Sequence, residues 1–193
     1  MLETYITSKI RREILANFLL TPKASFHIRD LGRIVGTEIN AVRRELLRLS
    51  KAGLLHKRHS GNRLYYEVSR DYPFLNSLTK LLSCDYGFGG RLVQNKAALG
   101  EVRFALVSFE FLRGRVSRRN QIDLLLIGRV NIPFLEDLVR QEQIKREQEI
   151  NYTILTEEEF SFQKSKRDPL LIGALSQARV ILWGDEERYC GVV

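Results

Sequence analysis

INAVRRELLRLSKAGLLHKRHSGNRLYYEV, Ile39 to Val68, is the stretch on which the reading of the first half of this chain turns. Ile39, Val42, Leu46 and Leu49 recur at steps of three and four, the period of a helix with one packed face. Gly53 stands where such a helix takes its C-terminal cap. LLHKR and RLYYEV then read as two strands around His59-Ser60-Gly61-Asn62, a turn-forming cluster, so the stretch predicts a helix running into a β-hairpin. With the apolar residues turned inward, the opposite face of the helix carries Asn40, Arg43, Arg44 and Arg48.

Working upstream, Thr37 is a suitable N-cap for that helix, and Gly36 breaks RDLGRIV, a shorter helix with Leu31, Ile34 and Val35 inward. Phe26–Ile28 suits a small strand. Thr7 to Leu20 reads as a first helix, with Ile10, Ile14, Leu15 and Phe18 on one face, Thr7 or Ser8 as cap and Pro22 beyond its end. Downstream, Phe74, Leu75, Leu78, Leu81 and Leu82 form a helical stripe, with Pro73 in the first turn, that suits a domain-joining helix or a dimer seam. SCDYGFGG, Ser83 to Gly90, holds three glycines and is expected as a hinge before a second short helix in RLVQNKAAL. It lacks the spacing of a phosphate loop.

Charge is segregated. The 193 residues carry a net +8, and residues 1–70 hold 14 Lys and Arg against 6 Asp and Glu, so the whole excess lies there. Residues 71–193 hold 17 of each sign. A local basic excess points to a nucleic-acid surface, the alternative being a solvated face in which Glu45 pairs with some of the arginines. Two distant cysteines, Cys84 and Cys190, without CxxC spacing fit a reducing cytosol, and a cytoplasmic location is expected. The three histidines make no metal-ligand spacing with them, no apolar run suits a membrane span, and no signal peptide is visible, so no metal, cofactor or membrane partner is expected.

The order helix, short strand, helix, turn, helix, hairpin is that of a winged helix-turn-helix, and residues 7–70 resemble the ArsR-like winged-helix regulators. Their pattern runs from a helix through L..L...GL into a basic hairpin with Gly at its tip and Tyr on the return strand. The resemblance implies double-stranded DNA as partner. A helix of this width fits the major groove, where Arg pairs with guanine and Asn with adenine. Thr37, Asn40, Arg43 and Arg44 are expected near bases and Arg48 nearer phosphate; Lys57, Arg58, His59, Asn62 and Arg63 are expected on backbone phosphate or in an adjacent minor groove. Winged helices also serve as protein-protein modules.

The second half begins with EVRFALVSF, a strand, and offers NYTIL and ARVILW as further strands and PFLEDLVRQEQIKREQ as a helix, an α/β or α+β domain. SFEFLRGRVSRRNQIDLLLIG, Ser108 to Gly128, resembles the motif of minimal nucleotidyltransferases, and the whole chain resembles prokaryotic transcription factors that join such a domain to a winged helix. That motif has a Gly-Ser pair, an Arg-Gly and two aspartates one residue apart on a strand. Aligned on Arg113-Gly114, this chain keeps the second aspartate as Asp123. It has Gln121 at the first, Phe109-Glu110 at the Gly-Ser pair, Leu112 at the small residue between, and Asn151 where a third carboxylate can stand. Nucleotidyl transfer needs paired anionic oxygens to bridge two Mg²⁺ ions and a turn that lets backbone N–H groups approach phosphate. Gln121 is neutral, and Phe109 and Glu110 add bulk and charge at the turn. The expected catalytic residues are therefore none, with Asp123 vestigial and capping or hydrogen-bonded to a neighbouring loop through Arg113 or Arg115. Arg113, Arg115, Arg118 and Arg119 are candidate phosphate contacts, the alternative being a solvated loop.

The expected fold is α+β: a winged helix-turn-helix over 1–70, linker helices and a Gly-rich hinge over 71–99, and a small nucleotidyltransferase-like mixed α/β domain over 100–193. The expected function is a sequence-specific DNA-binding transcriptional regulator, a homodimer whose inactive second domain serves dimerisation or takes a nucleotide or protein effector. The alternatives are an active nucleotidyltransferase that modifies a partner and a toxin–antitoxin type protein-interaction module.

Overall fold

A serine opens the first helix. In the computed structural model, which describes residues 2–21, 25–116, 118 and 120–191, the Ser8 hydroxyl accepts the Arg11 N–H at 3.3 Å and α1 runs Lys9–Leu20. Then follow β1 (Ser25–His27), α2 (Ile28–Val35), α3 (Ile39–Lys51), β2 (Leu55–Ser60), β3 (Arg63–Val68) and α4 (Leu75–Ser83). These elements belong to the first of two units, Met1–Gly87; the second is Phe88–Val193. The stretch 71–99 is thereby shared, with α4 in the first unit and most of α5 (Gly87–Gln94) in the second.

Every helix of the first unit sends apolar side chains to one core. Ile14 and Phe18 of α1, Leu31 of α2, Val42 and Leu46 of α3 and Leu82 of α4 meet there. The small sheet is antiparallel in the order β1-β3-β2, and its inner face adds Phe26 and Tyr66. The α3 exit is a Schellman closure. Leu54 N–H returns to Leu49 O, Gly53 N–H returns to Ser50 O, and Gly53 takes φ +82, which a side chain would resist. The hairpin turns on Gly61-Asn62, with Gly61 at φ +56 as the first central residue of a two-residue loop.

Five expectations need correction here. Thr37 is not the N-cap of α3, because its N–H joins that of Gly36 in closing α2 onto Gly32 O; Glu38 takes the cap position without a side-chain bond. Ile34 and Ile39 face solvent: in the last turn of α2 it is Val35 that packs against the core, which turns Ile34 outward, and Ile39 stands on the first turn of α3. The leucine stripe is divided: Leu75 and Leu82 are core, Leu78 packs against it, and Phe74 and Leu81 are exposed. Pro73 precedes α4 rather than lying in its first turn. The expected hinge is partly helical, because Gly87–Gly90 opens α5 and the buried Gly89 and Gly90 let that helix pack closely.

The second unit holds β4 (Gly100–Ser108), α6 (Phe109–Leu112), β5 (Leu124–Val130), α7 (Ile132–Arg146), β6 (Tyr152–Leu155), α8 (Glu157–Ser165), α9 (Pro169–Ser176), β7 (Arg179–Trp183) and α10 (Glu186–Cys190). The sheet order is β6-β5-β4-β7, with β5 and β6 parallel and the other pairs antiparallel. A parallel pair needs a crossover, and α7 supplies it. One sheet face buries Phe104, Leu106, Leu125 and Ile127 beside Phe160, Leu171 and Tyr189. Ala105, Val107, Leu124 and Leu126, of the other parity, are also fully buried, so both faces are covered. Gly128 sits at φ +132 opposite the register shift at Val102, where a Cβ would lie 2.3 Å from Glu101 O. Among the described residues no helix is long and apolar enough to cross a membrane.

Candidate nucleic-acid interface

The exposed stripe of α3 follows from its buried one. With Val42, Leu46 and Leu49 in the core, helical spacing turns Asn40, Arg43, Arg44 and Leu47 outward together. Among the described residues, Arg43 and Arg44 have no carboxylate partner. Arg48 differs. It bonds Glu45 at 3.0 Å, and Glu45, almost buried, also receives Arg11 of α1 at 2.8 Å. The Arg11 hydrogen bond holds the Glu45 carboxyl below its ordinary range, against the smaller, opposite pull of burial. Glu45 thus consumes Arg48 and Arg11 and leaves Arg43 and Arg44 available. Thr37 is half-buried in the turn before α3.

The hairpin divides its cations by strand parity. Arg58 lies opposite Tyr65, and Ser60 opposite Arg63, on one face; Lys57 lies opposite the buried Tyr66, and His59 opposite Leu64, on the other. Arg58 is paired with Glu67 across the strands and lies 5.6 Å from the Tyr65 ring centroid. His56 Nε2 stands 3.4 Å from the same Glu67, whose carboxyl Arg58 holds below its ordinary range. Lys57, His59, Asn62 and Arg63 are exposed, and among the described residues Lys57 and Arg63 have no carboxylate partner.

A cleft of about 430 Å³ joins the three parts of this surface. It is lined by His27 and Arg29 at the start of α2, Ile39 and Arg43 at the start of α3, and Asn62 and Arg63 at the hairpin turn. Among the described residues no carboxylate lines it. His27 and Arg29 are absent from the sequence-derived set. The legible signal for them was a cation in the first turn of a helix that ends in a basic loop-and-helix unit; what periodicity could not supply was the pairing of His27 with Tyr65 in the sheet register, which brings α2 beside the hairpin.

In the second unit, both ends of the loop that resembles a catalytic motif are tied down. Phe109, Phe111 and Leu112 are buried, and Arg146 donates to Phe111 O at 2.9 Å with its guanidinium 4.4 Å from the Phe111 ring centroid. Gln121 donates through Nε2 to Ser108 Oγ at 3.3 Å and to Gln177 Oε1 at 2.9 Å, while Gln177 donates to Ile122 O at 2.8 Å. Asp123 stands one residue before β5 and is fully buried; its Oδ2 accepts the Asn151 N–H at 2.9 Å, and its own N–H donates to Asn151 O at 2.7 Å. The Asp123 carboxylate thus reaches the loop entering β6, whereas Arg115, one of the two arginines expected to meet it, pairs with Glu110. Among the described residues no group of three His, Cys, Asp or Glu could hold a metal ion. Of the arginines, Arg113 lies 4.8 Å from the Phe109 ring centroid, Arg115 pairs with Glu110, and Arg118 is exposed with its carbonyl accepting from Asn151 Nδ2 at 3.1 Å. Arg119 lies outside the described residues. No protein-family model matches this chain, and neither a curated protein nor a solved structure matches it.

Proposed function

We propose that this chain is a sequence-specific, double-stranded-DNA-binding regulator of transcription, a winged helix-turn-helix joined to a nucleotidyltransferase-like domain that transfers no nucleotide. One observation carries the reading. Arg43 and Arg44 project with Asn40 from one exposed face of α3, free of carboxylates among the described residues, beside a hairpin that adds Lys57 and Arg63. A protein that needed these cations for its own stability would pair them, as Arg48 and Arg11 are paired. Helix, hairpin and net charge agree with α3 in a major groove and the hairpin as the wing.

Support for an inactive second domain comes from the donors present. Asp123 spends its carboxylate inside the fold, and Gln121 spends its amide on Ser108 and Gln177. Neither offers an anionic oxygen to a metal at the surface, and two metals need a shared anionic bridge. The mixed sheet with a β5–α7–β6 crossover suits the nucleotidyltransferase-like reading. On this reading the second domain serves association or an effector in the cytoplasm, and Phe74 at the N-cap of α4 and Leu81 within it are the exposed residues of the expected homodimer seam. Selection of bound genomic fragments by the purified chain at physiological salt tests the proposal. A common motif should emerge, and Arg43→Ala or Arg44→Ala should alter it. Fragments retained without any shared motif would remove the claim of sequence specificity.

A further inference from the structure

The cleft between α2, α3 and the hairpin turn has a lining that suits one kind of ligand. Arg29, Arg43 and Arg63 come to it from three separate elements, Asn62 adds an amide, and among the described residues no carboxylate is in its walls. Pockets for apolar small molecules are lined mostly by hydrophobic and aromatic groups, and here, among the described residues, Ile28 and Ile39 are the aliphatic ones against three arginines, an asparagine and a histidine. Three guanidiniums around one space of about 430 Å³ repel one another unless an anion enters. The guanidinium fork matches the oxygens of a phosphate ester. His27 reinforces this. Its Nδ1 accepts the Arg29 N–H at 3.3 Å, so a neutral ring carries its proton on Nε2 and is a donor there.

We propose that this cleft grips a phosphate ester, with Arg29 as its anchor on α2, and that the ester is a backbone phosphodiester of the duplex. The proposal rests on the DNA-binding reading and extends it to an element outside α3 and the hairpin. Its consequence is mechanical. A phosphate held by Arg29 of α2 and by Asn62 and Arg63 at the hairpin turn, beside the start of α3, fixes how far α3 enters the groove and leaves Arg43 for the bases. Arg29 is exposed and has no carboxylate partner among the described residues, so its replacement leaves the core untouched. Arg33, exposed on the same helix and not part of the cleft, is the matched control for loss of one positive charge.

The experiment measures duplex affinity of the full chain as a function of salt for the wild type, Arg29→Ala, Arg29→Lys and Arg33→Ala, each on a selected site and on an unrelated duplex. Losing one phosphate contact lowers the slope of log affinity against log salt by about one. It weakens binding about fivefold near 0.15 M salt. Arg29→Ala should show both effects equally on the two duplexes, Arg29→Lys should restore most of the slope, and Arg33→Ala should keep it. Thermal melting of Arg29→Ala at the wild-type temperature confirms that folding is intact; if it falls, Arg29→Lys and Arg29→Gln carry the comparison. A second arm adds inorganic pyrophosphate against chloride at matched ionic strength. Equal competition supports the duplex backbone as the source of the phosphate, and excess competition lost in Arg29→Ala would assign the cleft to a free phosphorylated molecule instead. An Arg29→Ala slope equal to that of Arg33→Ala overturns the proposal while leaving DNA binding standing. A wild-type chain without affinity for any duplex overturns both.

Discussion

Arg43 and Arg48 lie on the same helix, and their surroundings give them different roles. Arg43→Ala should cost about 1–3 kcal/mol of affinity for the selected site, as the loss of a base contact does. Arg48→Ala should cost less affinity and some stability, because Arg48 is held by the almost buried Glu45. Glu45 also sets a pH dependence. Its folded carboxyl lies below the ordinary range, first through the Arg11 hydrogen bond, so its contribution is present above the unfolded value and is lost as pH falls through the folded one. Glu45→Gln should therefore lower stability near neutrality by about 1–2 kcal/mol. The gap between variant and wild type should close as pH drops below about 4. A gap that widened toward acid would contradict the assigned pairing. Asp123 is the corresponding residue of the second unit. Asp123→Asn should cost about 1–3 kcal/mol in thermal melting, because the buried carboxylate that accepts the Asn151 N–H is lost, with duplex affinity unchanged.

At the scale of elements, the helices and the hairpin were legible because local rules agree with packing. Val42, Leu46 and Leu49 repeat at helical spacing, and Gly53 closes the helix as a C-terminal glycine does. The places where the reading failed are those decided by neighbours. Thr37 has the chemistry of a cap, yet its N–H was taken by Gly32 O. Ser83–Gly90 has the composition of a hinge and contains the division between the two units, yet its Gly89 and Gly90 are buried in a helix because tertiary packing overrides propensity. Arg29 and His27 escaped notice because the cleft depends on sheet register and on three elements distant in sequence. The motif around Asp123 was legible as a pattern, but the bonds of Gln121 to Ser108 and Gln177 join residues far apart in the chain. Gly128 belongs to this scale as well. Its φ and the approach of Glu101 O leave no room for a Cβ, so Gly128→Ala should destabilise the protein by about 3 kcal/mol or more and be visible as a lowered melting temperature. An unchanged melt would mean that the β4–β5 register differs from the one described.

For the whole molecule, the governing fact is that the net charge of +8 is confined to the first 70 residues while the remainder is balanced. A duplex partner makes a definite demand on such a distribution: binding releases counterions in proportion to the phosphates contacted. Arg29, Arg43, Arg44, Lys57 and Arg63 provide cations for this, whereas Arg48 and Arg58 are engaged by Glu45 and Glu67. The most direct measurement is the salt dependence of duplex binding by the intact chain between about 0.05 and 0.3 M salt. The predicted result is a steep, linear fall in log affinity with a slope near −3 or steeper, as at least three neutralised phosphates require. Absence of duplex binding at the lowest salt, or an affinity that salt does not change, would contradict the account.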